Sequence, residues 1–184
     1  MSKIYILSIL SLLIMGCQPT LDPHQYMVWS QGNHDIGVSS HETESYRVSL
    51  RYQPKELIFL QRGGAHLPES NQEVLWKEIE GMDFFTVELT PKGAEKVTLE
   101  DNYYFSYRFS EDIELEGAGQ AAGPVLFHYE RSNDLGSKKT FVMGFETPMG
   151  ADGARKKVRI YNERISPAPI ELEVQTNKFP KLRL

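Results

Sequence analysis

Cysteine is almost missing from this sequence: Cys17 is the only one in 184 residues. A lone thiol cannot close an intrachain disulfide or build a Cys-based metal site, so the fold must be held by buried apolar surface. Positive charge is also scarce, with 20 Lys and Arg against 25 Asp and Glu and a net charge of −5. That balance argues against nucleic acid or another polyanion as the principal partner. No apolar stretch beyond residue 15 approaches the roughly 20 residues needed to cross about 30 Å of hydrocarbon. Familiar catalytic spacings are missing too: there is no G-x-S-x-G elbow and no H-E-x-x-H pair. No segment repeats.

What is present begins with the leader. Lys3 supplies a positive charge, and Ile4 through Met15 form an apolar run broken only by Ser8 and Ser11. This has the length of a secretory signal and is too short to span a bilayer. Gly16 provides the small residue that a cleavage site requires, and Cys17 follows it directly. Leu12-Leu13-Ile14-Met15-Gly16-Cys17 resembles the lipobox of bacterial lipoproteins, with Met15 departing from the small residue usual at that place. The resemblance covers the leader alone. It implies cleavage before Cys17, acylation of that cysteine, and a bilayer as the first partner. Several acyl chains, each contributing about 0.8 kcal/mol per buried methylene, give stable anchoring where one would be marginal. Gln18 stands where an aspartate would resemble an inner-membrane retention signal, so the resemblance points to the outer membrane. No acidic cluster directly follows the cysteine, which favours the periplasmic side over the cell surface.

The expected organisation is a cleaved leader at 1–16, a lipidated tether at 17–25 and a single β-rich domain at 26–184. Tyr26-Met27-Val28-Trp29 reads as a short first strand, and residues 30–45 as a polar loop. Tyr46 to Tyr52 alternates strictly, four apolar residues against Arg47, Ser49 and Arg51. Pro54 opens a short helix through Leu60, which Gly63-Gly64 ends. Ser70 and Glu73 fit a capping box, with Val74, Leu75 and Ile79 on one helical face and Gly81 as the stop. Period two returns at Phe85, Val87 and Leu89, and at Tyr103, Phe105, Tyr107 and Phe109. Val125–Tyr129 and Phe141–Phe145 read as a hairpin across Ser132–Gly136, followed by strands at Val158–Ile160 and Ile170–Val174. The fold class is therefore mainly β: an antiparallel β-sandwich or open barrel of about eight strands with one or two short helices.

Few residues stand out for chemistry. His34, Asp35, His41, Glu42 and Glu44 are the nearest thing to a metal-ligand set, but they lack helix spacing or a matching motif and read as a solvated loop. Gly117 to Gly123 is glycine-rich, yet Pro124 follows and no lysine completes a phosphate loop, so it reads as a flexible connection. Glu111-Asp112 and Glu114/Glu116 read as solvated acids. In the aromatic stretch the Tyr103/Phe105/Tyr107/Phe109 face reads as core, leaving Tyr104 and Arg108 as the candidate binding residues. Two basic runs, Arg155/Lys156/Lys157/Arg159 and Lys178/Lys181/Arg183, read as solvated charge with a potential for anionic headgroups. No cofactor is expected.

The function that follows is a membrane-anchored envelope lipoprotein acting as a non-enzymatic binding or assembly component of a cell-envelope protein complex. The alternatives are a lipoprotein that binds glycan or a small ligand through exposed aromatics, and a hydrolase whose site is assembled from distant residues.

Overall fold

Alternating apolar residues build most of this molecule, a computed structural model that describes residues 18–93, 98–117, 119–130, 138–147 and 154–184. The leader, Cys17 and the Ser132–Gly136 turn lie outside the described residues. Strands β2 (Val38–Glu42), β3 (Tyr46–Gln53), β4 (Met82–Pro91), β7 (Leu126–Glu130) and β8 (Lys139–Glu146) form one antiparallel sheet in the order β2-β3-β4-β8-β7. Strands β5 (Ile113–Gly117), β6 (Gln120–Ala122), β9 (Arg155–Ile160) and β10 (Ile170–Gln175) form a second, in the order β10-β9-β5-β6. Register explains the burial. Leu50 faces Val87 and Val87 faces Phe141 in the first sheet, while Leu172 faces Val158 and Val158 faces Leu115 in the second. Because side chains alternate between faces, in-register pairing lines these residues up on one side of each sheet. The two inward faces bury one common hydrophobic cluster.

The domain is mainly β with antiparallel sheets, as expected, and among the described residues neither sheet closes into a barrel. It carries more helix than expected. Tyr26-Met27-Val28-Trp29 is not a strand but lies in helix α1 (Pro23–Gly32). Asp22 is the reason: its carboxylate accepts the Gln25 amide at 2.8 Å, the Gln25 side chain accepts the Asp22 amide at 3.2 Å, and Pro23 presets the first turn. Residues expected to be tether are likewise structured. Strand β1 (Thr20–Leu21) runs parallel to β11 (Lys181–Leu182), with Thr20 opposite Lys181. Part of the expected loop at 30–45 is β2, paired with β3.

Helix α2 (Lys55–Gln61) follows Pro54 as read, and Gly63 takes the left-handed φ of 75° that closes it. Helix α3 (Glu69–Ile79) is present without its expected capping box. The helix starts one residue before Ser70, so the Pro68 carbonyl takes the Asn71 and Gln72 amides and the Ser70 hydroxyl bonds Asn71 instead. Leu75 and Ile79 are buried, whereas Val74 is 57% exposed, off the packed face. With Phe59 and Phe84 they form a second small cluster, in which Phe59 stacks on Trp76 at 4.5 Å.

Two lysines sit inside the main core rather than on its surface. Lys139 lies over the rings of Phe105 and Tyr46, at 5.0 and 5.5 Å from their centroids. Lys156 reaches across from β9 to Asp83 on β4 at 2.9 Å, with side-chain exposures of 7% and 4%. The basic run it belongs to is only partly solvated: exposed Arg155 pairs with Glu173, and half-buried Lys157 and Arg159 pair with Glu116 and Glu171.

Candidate functional site

The aromatic stretch at 99–109 holds the most developed surface feature. It is helix α4 (Leu99–Tyr107) followed by one 3-10 turn, not a strand. Thr98 caps it: the Thr98 hydroxyl accepts the Asp101 amide at 3.0 Å, and the Asp101 carboxylate accepts the Thr98 amide at 3.0 Å. On a helix, residues four apart share a face. Phe105 and Phe109 therefore turn inward together and are buried against Phe141, with ring centroids 5.9 and 4.6 Å away. Tyr103 and Tyr107 turn outward together, 61% and 64% exposed, with ring centroids 5.3 Å apart. The expected core face is thus half core and half surface. Leu99, 90% exposed, continues the outward row one turn earlier.

Tyr104 does not point freely into solvent. It packs against the main core, and its hydroxyl donates to the Asp112 carboxylate. Asn162, in the loop after β9, donates its side-chain amide to the Tyr104 hydroxyl and to Asp112, the latter at 2.7 Å. Burial, reinforced by the Asp112 acceptor, pushes the Tyr104 phenol well above its ordinary range. The phenol is a hydrogen-bond donor to Asp112 in this arrangement. Arg108 is exposed and holds Glu111 through two nitrogens, at 2.8 and 2.7 Å.

Arg164 completes the arrangement. Its guanidinium sits 5.0 Å from the Tyr104 ring centroid, pairs with Asp101 at 3.0 Å and Glu100 at 2.6 Å, and its backbone amide is accepted by the Asn162 side chain at 2.9 Å. Thr98, reinforced by Arg164, holds the Asp101 carboxyl below its ordinary range. A cleft of about 250 Å³ opens here, lined by Glu100, Tyr103, Tyr104, Arg108, Glu111, Asp112 and Arg164. Arg164 also borders a neighbouring depression of about 480 Å³ lined by Glu44, Ser45, Tyr46, Pro91, Lys92 and Gly93. The cleft has charges of both signs on its walls together with the exposed Tyr103 ring and the Tyr104 ring held by Asp112 and Asn162.

Both candidate binding residues, Tyr104 and Arg108, therefore line one cleft. Sequence reasoning missed Asp112 as the acceptor for Tyr104, missed Asn162 and Arg164, and placed Tyr103 and Tyr107 inside. The Thr98-x-x-Asp101 capping box was the local signal available for the helix. The other acids and glycines are dispersed. His34 pairs with Asp35 at 3.1 Å, and Glu42 pairs with Arg47 and with Lys92 at 2.8 Å. Among the described residues no three metal-ligating side chains converge. Gly117 and Gln120 face each other across β5 and β6, with Gly119 at φ 77°, so part of the expected flexible connection is paired strand. Among the described residues no helix is long and apolar enough to cross a membrane. Compared with known proteins, the chain matches no family, no curated sequence and no solved structure.

Proposed function

We propose that this chain is a bacterial envelope lipoprotein, anchored through Cys17 in the outer membrane, whose β-sandwich domain serves as a binding or assembly component of a cell-envelope protein complex. The lipobox-like leader supports the anchor. Two antiparallel sheets sharing one core support the sandwich over the open barrel. The observation that carries the binding role is the Tyr103–Tyr107 pair. Two exposed rings stand side by side on a helix capped by Thr98 and fixed from behind by Phe105, Phe109 and the Tyr104–Asp112–Asn162 network. Exposed rings presented on a fixed helix can bury large area on a partner, which is how aromatic anchors dominate protein interfaces.

A photo-reactive phenylalanine analogue placed at Tyr103 in living cells tests this. One discrete protein adduct is expected from Tyr103, weakened by Tyr107→Ala, and no such adduct when the analogue replaces exposed Val74 on α3. An identical smear from both positions, or no adduct from either, overturns the reading. Labelled palmitate entering the wild type but not Cys17→Ser is the expected result for the anchor.

A further inference from the structure

The two basic runs of the sequence have opposite fates in the fold. Arg155, Lys156, Lys157 and Arg159 are all consumed by carboxylates on neighbouring strands and in the core. Lys178, Lys181 and Arg183 are all exposed, and none forms an ion pair among the described residues. Their position is set by the parallel β1–β11 pair. Lys181 lies opposite Thr20 in register, its amide donating to the Pro19 carbonyl at 2.9 Å. Arg183 follows one step on, its amide donating to the Leu21 carbonyl at 2.8 Å. Next to Lys178, the Asn177 carbonyl accepts the Gln18 side-chain amide at 2.7 Å. The Lys181 backbone thereby runs about one strand spacing, roughly 4.8 Å, from Thr20, and Asn177, next to Lys178, is joined to Gln18, the residue after Cys17. Residues 18–32 and 176–184 contain a single acidic side chain, Asp22, and it is engaged in capping α1. Exposed Leu184 adds an apolar group to the same end of the chain.

From this geometry we infer that Lys178, Lys181 and Arg183 form a docking surface for anionic phospholipid headgroups, seated on the bilayer immediately beside the lipid anchor. The inference rests on the proposed anchor at Cys17. Consecutive Cα atoms are about 3.8 Å apart, so Gln18 lies one residue from Cys17 and Thr20, opposite Lys181, lies three residues from it, at most about 11 Å of chain. Long lysine and arginine side chains that reach the headgroups come within the Debye length of about 8 Å at physiological ionic strength, where the attraction is not screened away. A basic side chain at an anionic surface strengthens attachment about fivefold, and three together about a hundredfold. The anchor supplies the attachment. The three cations fix which side of the domain meets the membrane.

The experiment uses the full chain processed in bacteria, purified in detergent and reconstituted into vesicles of phosphatidylcholine, or of equal parts phosphatidylcholine and phosphatidylglycerol. Mass spectrometry reads both the acyl groups on Cys17 and the extent of lysine acetylation by a brief pulse of reagent, with Lys92 as reference. On anionic vesicles, labelling of Lys178 and Lys181 relative to Lys92 is expected to fall about tenfold or more, and to return at 1 M salt, where the Debye length is about 3 Å. No fall is expected on neutral vesicles. The Arg183→Gln variant is expected to fold normally and weaken the protection. Equal labelling on both vesicles with Cys17 acylated overturns the docking surface and leaves the anchor standing. Protection on anionic vesicles with Cys17 unmodified overturns the anchor and keeps the headgroup surface. Equal protection in neutral vesicles and in detergent assigns the face to another protein surface and overturns the inference.

Discussion

Replacing Lys156 by methionine removes a cation from the centre of a two-sheet interface, and its cost follows from the geometry. Lys156 and Asp83 lie 2.9 Å apart with almost no solvent contact. With an effective dielectric constant of about 20, Coulomb attraction at that distance is about 6 kcal/mol. Stripping water from the two charges offsets most of it, so the intact pair adds little net stability. Breaking it is another matter, because Asp83 keeps its desolvation cost without its cation. Lys156→Met is therefore expected to lose about 3–5 kcal/mol, while the double variant Asp83→Val/Lys156→Met returns to within about 1–2 kcal/mol of wild type. Urea unfolding followed by far-UV circular dichroism measures both. With a slope near 2 kcal/mol per molar, the single variant's midpoint moves down by roughly 1.5–2.5 M. A single variant that loses less than about 1 kcal/mol at unchanged slope, or a double variant less stable than the single, refutes the reasoning.

Two further perturbations test other parts of the fold. A methyl group at Gly37, where φ is 69°, would stand 2.7 Å from the Phe179 ring, so Gly37→Ala is expected to cost about 1–3 kcal/mol in thermal unfolding, and an unchanged melting temperature counts against that contact. Asp101, held below its ordinary value of 3.8 first by Thr98, contributes stability that is present above that value and lost as pH falls through the lower folded-state value. Melting curves from pH 7 to pH 2 should show Asp101→Asn less stable at neutral pH, with the difference vanishing in acid; a difference independent of pH refutes the assignment.

Strands were legible where one period dominated. From Tyr46 to Gln53 the apolar residues fall on alternate positions and nowhere else, and from Phe85 through Val87 to Leu89 the same alternation runs on, once off-phase Phe84 has passed. The stretch that builds the candidate site misled because its spacing satisfies two periods at once. Tyr103, Phe105, Tyr107 and Phe109 alternate, yet 103 with 107 and 105 with 109 are also one helical turn apart. Only the cap decides between these readings, and Thr98-x-x-Asp101 does so, as Asp22-x-x-Gln25 does for α1. The rest of the site had no local signature. Asn162 meets Asp112 and Tyr104 across 50 and 58 residues, and those pairings follow from how β9 returns beside β5. Lys156 illustrates the same limit in part: its phase with Val158 and Ile160 puts it on the inward face, but nothing in its own segment names Asp83 as the partner. The leader, by contrast, is read wholly from sequence, and it speaks of attachment rather than of the site.

The short β1–β11 ribbon has a mechanical meaning. Tension applied at Gln18 along the strand axis would load β1 almost perpendicular to the amide bonds that Lys181 and Arg183 make to Pro19 and Leu21. Bonds loaded in that direction share the force and must fail together, instead of opening one after another like a zipper. The Gln18–Asn177 bond lies upstream and takes strain first. A partner that tugged on α4 would therefore pull against a shear clamp, and the load would reach the sandwich before β1 peeled away.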